Sequence, residues 1–142
     1  FFTPSHIDND MLVMVSLKSK PVTNIKELQD KQVVVNEGYT ADYYVSGLKV
    51  PNIIRLATIE EAILALKSGR ADVFVSAKNA LKTFFSLEDS SAFTETILPD
   101  TKEEYALVVS KKYPELFAEI RKALEDMKAD GTLEQIKNKW HL

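Results

Sequence analysis

The 142 residues suffice for one domain, or for two small lobes sharing a chain. The formal net charge is −3 and no Lys/Arg block occurs, which argues against nucleic acid and an anionic membrane surface as partners. The absence of cysteine removes disulfides, thiol catalysis and thiolate metal sites, and no apolar run approaches the ~20 residues of a membrane span.

The chain opens on Phe1-Phe2-Thr3-Pro4, without a basic signal-peptide region, and is expected to begin in mid-protein or after processing. Residues 1–10 read as a loop: Pro4 breaks structure, and Asp8, Asn9 and Asp10 are turn formers. Residues 11–15 form an apolar run of strand length, which Ser16 and Leu17 extend, before a polar break at residues 18–21. Asn24 and Glu27 have capping-box spacing for a short helix over residues 25–29. Val33, Val34 and Val35 are the second strand. Gly38, Tyr39 and Thr40 follow it and lead into a helix from Ala41, stopped near Gly47. A helix N-terminus carries unpaired N–H groups and about half a positive charge, so it attracts carboxylate or phosphate. Thr40 either caps this helix or points its hydroxyl at a ligand.

Residues 53–56 are the third strand, and Thr58 and Glu61 form a second capping box. The helix they start puts Ile59, Ala62, Ile63 and Leu66 on one face and ends at Gly69. A buried strand, Val73-Phe74-Val75, follows and ends at Ser76. In open α/β sheets ligands sit outside the carboxyl ends of strands, so Ser76 and Ala77 are the first places to expect a site. Residues 77–85 read as helix, with Phe84 and Phe85 as core. Glu88, Asp89, Ser90 and Ser91 read as a polar loop, and residues 93–98 as a weaker strand. Residues 105–109 form a strong strand, matching residues 11–15 as a pair of hinge strands that enter and leave one lobe. Pro114 suits a helix first turn. Leu116, Phe117, Ile120, Leu124 and Met127 form its apolar stripe, and Gly131 follows it. Thr132 is read as the cap of a last helix, with Leu133, Ile136 and Trp140 on one side and Trp140 as a packing anchor.

Alternating strands and helices imply an α/β fold with a mostly parallel sheet and helices on both faces. His6 and His141 lie at opposite ends and are read as solvent-facing; neither has metal-ligand spacing. No nucleophile elbow occurs. Glu60-Glu61 is explained by capping, and Glu103-Glu104 reads as a solvated edge. On residues alone the reading stops at an α/β ligand-binding module, with an enzyme not excluded.

Several pieces resemble the extracytoplasmic (periplasmic) solute-binding proteins of the amino-acid-binding family, which have the type II periplasmic-binding fold. Phe1 to Ser5 is similar to that family's F-S-x-P-Y. Val33 through Gly38-Tyr39-Thr40 resembles its V-x-V-x-x-G-T-T, and Leu66 to Asp72 its L-x-x-G-R-A-D. Residues 128–140 resemble its closing K-x-D-G-T and K-W. The resemblance implies a complete lobe 2 over residues 21–101. Residues 1–20 and 102–142 would be hinge strands and the C-terminal part of lobe 1, whose N-terminal half is absent. It also implies ligand-binding roles for Gly38, Tyr39, Thr40, Ser76, Ala77, Phe1 and Ser5. Thr40 matches a Thr that meets a ligand carboxylate, and Tyr39 replaces the Thr before it. Ala77 falls where an Asp usually takes the ligand's ammonium, and Ser5 where an aromatic often stands.

The function so implied is binding of a small polar solute, amino-acid-like or carboxylate, between two lobes for ABC-type import, on the periplasmic or extracellular side of the cytoplasmic membrane. The alternatives are a ligand-binding sensor domain of a membrane receptor such as a histidine kinase, and a dehydratase-like enzyme on the same fold. No catalytic residue, metal ligand or cofactor is expected. The partners implied are a small-molecule ligand and a membrane importer or attached signalling domain, with no nucleic acid. The stripe of the C-terminal helices is expected to be covered by a second copy of the chain, a swapped segment or a preceding fragment.

Overall fold

A computed structural model describes residues 1–85, 90–140 and 142. Glu88 and Asp89 of the expected polar loop, and His141, lie outside the described residues. The chain divides into two compact units, Met11–Thr101 and a smaller one made of Phe1–Asp10 and Lys102–Leu142.

The larger unit is a five-stranded sheet in the order β4-β3-β5-β2-β6. Its strands are β2 (Leu12–Leu17), β3 (Val33–Asn36), β4 (Ile53–Leu56), β5 (Val73–Ala77) and β6 (Phe93–Ile97). β3 pairs in parallel with β4 and β5, while β2 runs antiparallel to both β5 and β6, so four strands point one way and β2 opposes them. β2, read from sequence as a hinge strand outside the lobe, is thus paired on both sides within this sheet. Helices cover both faces. Val33, Val35, Val73 and Val75 pack with Leu28 of a short 3-10 helix (Ile25–Asp30) and with Ala41 and Val45 of α1 (Thr40–Gly47). On the other face Val34 and Phe74 pack with α2 (Ile59–Lys67) and with Leu81 of α3 (Lys78–Phe85). Period-two alternation sends neighbouring residues of one strand to opposite layers, which is why unbroken Val runs are buried on both sides. Both capping boxes are formed, Asn24 with Glu27 and Thr58 with Glu61. Phe84 and Phe85 pack at the edge of the second layer as expected.

In the smaller unit β1 (Ile7–Asp10) pairs antiparallel with β7 (Glu103–Tyr105). Several sequence expectations change here. The turn formers at residues 8–10 lie in a strand, because the backbone of 103–105 supplies their partners. The strong strand expected over residues 105–109 has only Tyr105 in a regular strand. Beyond it a looser ladder continues, with Thr3 N donating to Leu107 O (3.0 Å), Val109 N to Phe1 O (2.9 Å), and a bridge between Phe2 and Val108. α4 (Pro114–Ala129) has Pro114 in its first turn, and α5 (Thr132–Trp140) follows. Thr132 does not cap α5; its N–H donates to Asp130 Oδ1 at 2.8 Å. Trp140 is 65% exposed rather than a packed anchor within this chain. His6 is half-buried, not solvent-facing, with its Nδ1 buried and unpartnered among the described residues.

Candidate functional site

β3 and β5 are adjacent and parallel, with Val35 beside Val75, so their carboxyl ends lie side by side. After β3 the chain goes to α1 on one face; after β5 it goes to α3 on the other. This reversal is a topological switch point, the place where an open α/β sheet leaves a crevice for a ligand.

The loop out of β3 is built to expose backbone donors. Glu37 N donates to Leu56 O at 3.0 Å and Asn36 Nδ2 reaches the same carbonyl at 3.4 Å, which ties the loop to β4. Gly38 then turns the chain at φ +76°, a left-handed conformation that strains any residue with a Cβ. Tyr39 stands at the capping position in extended conformation and contributes no side-chain cap; its ring is exposed. Thr40 is the first helical residue, also exposed, so it does not cap the helix. Asp42 serves the loop instead: Gly38 N donates to its Oδ2 at 3.1 Å. The N–H groups of Thr40 and Ala41 have no partner among the described residues. They are two free donors at the positive end of α1.

Asp42 is buried and fully engaged. Arg55 of β4 donates from Nε to both carboxylate oxygens, at 3.0 and 3.1 Å, and Ser46 Oγ donates to Oδ1 at 3.2 Å. A second guanidinium nitrogen of Arg55 donates to Ser46 Oγ at 2.9 Å. Burial pushes the Asp42 carboxyl up, and the Gly38 N–H, Arg55 and Ser46 outweigh it, so it titrates below its ordinary 3.8. Sequence reading misses this pair: Asp42 and Arg55 lie on a helix and a strand, and only their opposite charges hint at contact.

The structure therefore gathers Gly38, Tyr39, Thr40, Ser76 and Ala77 at one end of the larger unit's sheet. Ser76 is buried on the strand face shared with Phe74, and Ala77 packs against the layer that holds Ala41 and Val45. Phe1 and Ser5 belong to the smaller unit. Phe1 stacks on Phe117 with ring centres 4.9 Å apart. Ser5 Oγ donates to Asp8 and to Ile7 O, and lines a cavity of about 70 Å³ with Asp8, Lys128, Leu133, Glu134 and Lys137. Among the described residues no group of three or more His, Asp or Glu is placed to hold a metal ion, and no helix is long and apolar enough to cross a membrane.

Residues 41–142 match the family model of the bacterial extracellular solute-binding proteins, family 3. The chain belongs to this family. It is 29% identical to a putative amino-acid ABC transporter-binding protein of Vibrio harveyi, across 98% of this chain and 57% of that protein. It is 28% identical to an arginine-binding extracellular protein of Bacillus subtilis (strain 168), across 99% and 54%. The fold matches an ancestral arginine-binding protein solved with arginine bound, at TM-score 0.85 and 26% identity, over 98% of this chain and 63% of that one. The chain thus spans little more than half the length of the curated relatives it matches. As a family member it shares the mixed α/β architecture of type II periplasmic binding proteins.

Proposed function

We propose that this chain forms part of an extracytoplasmic receptor that binds a small polar solute, amino-acid-like or carboxylate, and presents it to an ABC-type importer. The larger unit is read as one lobe of that receptor and the smaller unit as part of a second, completed by a longer polypeptide. The observation that carries the reading is the pair of free N–H donors on Thr40 and Ala41, set at the switch point of a family whose members bind solutes. A ligand carboxylate placed there gains charge-assisted bonds from both amides, the field of α1 and the Thr40 hydroxyl. Nothing in this reading requires a bond to be made or broken, so the chain acts as a binding protein and not an enzyme.

Thr40→Val tests the role of the hydroxyl, because it keeps the shape and removes one hydrogen-bonding group. Affinity for the bound carboxylate, measured by calorimetry, should weaken by about 0.5–1.5 kcal/mol. Unchanged affinity would remove Thr40 from the site.

A further inference from the structure

We infer that Arg55 is a positioning residue for the ligand-facing amides, acting through Asp42. The inference rests on the solute-binding reading above. An acidic side chain at the third position of a helix reaches back to the N–H groups at or just before the cap, as Glu27 does to Thr23 and Asn24 and Glu61 to Ala57 and Thr58. Asp42 reaches Gly38 in the same way and is held there by further contacts. One oxygen takes Gly38 N–H and an Arg55 contact, the other takes Ser46 and a second Arg55 contact. Three donors hold the carboxylate: the Gly38 N–H, the Ser46 hydroxyl and the Arg55 Nε–H, which is shared between both oxygens. Arg55 is itself fixed, since β4 pairs with β3 in the register Val35 to Arg55 and its guanidinium also bonds Ser46.

The guanidinium thus has two effects. It keeps Asp42 on Gly38, which holds the left-handed turn that aims the loop. It also keeps a negative charge off the two amides that a ligand carboxylate needs. Release of Asp42 would let the protein's own carboxylate occupy the site of the ligand's. Arg55 reaches the site only through another residue, and its effect should therefore appear in binding and loop order rather than in the core.

The test uses the 142-residue chain with Arg55→Met, which keeps the stem, and Arg55→Lys, which keeps the charge without the fork. Two readouts are taken: amide hydrogen exchange across the larger unit, and calorimetric titration with L-arginine, L-glutamine and succinate. In Arg55→Met the Gly38 amide should exchange about ten-fold faster or more while the strand amides of β3 and β5 keep their protection. Any of the three compounds that binds the wild-type chain should bind at least about ten-fold more weakly, with the melting temperature within about 3 °C. Arg55→Lys should recover part of both. Unchanged Gly38 exchange in Arg55→Met overturns the inference. So does a uniform loss of protection across the sheet, which would make Arg55 a structural residue. If none of the three compounds binds the wild-type chain, solute binding by this chain alone fails for them, and Gly38 exchange still decides the role of Arg55.

Discussion

In the larger unit the apolar stripe of α2 is covered, with Ala62, Ile63, Ala65 and Leu66 all buried. In the smaller unit α4 carries an equally regular stripe and buries none of its residues; Leu116 is 47% exposed. The two helices read alike in sequence because periodicity reports that a face needs cover. It does not report what supplies the cover. For α2 the cover is a five-stranded sheet in the same unit, whereas among the described residues the sheet of the smaller unit has two strands, β1 and β7. A two-stranded ribbon is marginal by itself. The larger unit should therefore carry most of the chain's stability, and mutations should separate the two regions.

The largest separation should come from paired truncations. Phe74 is fully buried between β5 and the α2 layer, so Phe74→Ala should cost about 3–5 kcal/mol in denaturant unfolding. Leu116→Ala should stay within about 0.5 kcal/mol. Comparable losses at both positions would mean that α4 is covered as well as α2 is.

Gly38, in the loop before α1, and Gly47, at the end of that helix, sharpen the contrast inside the larger unit. A Cβ at Gly38 or at Gly47 would meet nothing within 4 Å, so space distinguishes neither. Only Gly38 has positive φ. Gly38→Ala should cost about 1–2 kcal/mol in the same unfolding assay. Gly47→Ala should be neutral or stabilising by about 0.4–1 kcal/mol, through the unfolded chain.

The smallest effect is on pH. Asp42 titrates lower in the folded chain than unfolded, so the folded state holds fewer protons near its titration. Its contribution to stability is complete above the ordinary value of 3.8 and fades as pH falls through the depressed one. The difference in unfolding free energy between wild type and Asp42→Asn should be flat near neutral pH and shrink in acid below that value. A difference that grows in acid would contradict the Gly38 and Arg55 contacts.

What could be read from sequence follows the same division between local and distant causes. The capping boxes at Asn24 and Thr58 and the left-handed glycine that follows α2 at Gly69 are set by residues a few positions apart, and all were legible. The strand at Ile7–Asp10 was not, because its partner lies at residues 103–105 and pairing overrides the turn preference of Asp8 and Asp10. Thr132 does not cap α5 as its residue type suggests; Asp130, two residues earlier, accepts from the Thr132 N–H itself. At the candidate site the strand, glycine turn and helix N-terminus were visible as a pattern. The Asp42–Arg55 tie was not, since it depends on β4 lying beside β3.

In the function proposed, a ligand carboxylate meets the amides of Thr40 and Ala41. Amide resonances of the isotope-labelled chain, titrated in turn with L-arginine, L-glutamine and succinate, test it most directly. At least one compound should shift the Thr40 and Ala41 amides in a saturable way, with the amides of α4 and α5 unmoved. Binding that leaves those two amides in place, or shifts confined to the residues around Ser5 and Lys137, would contradict it.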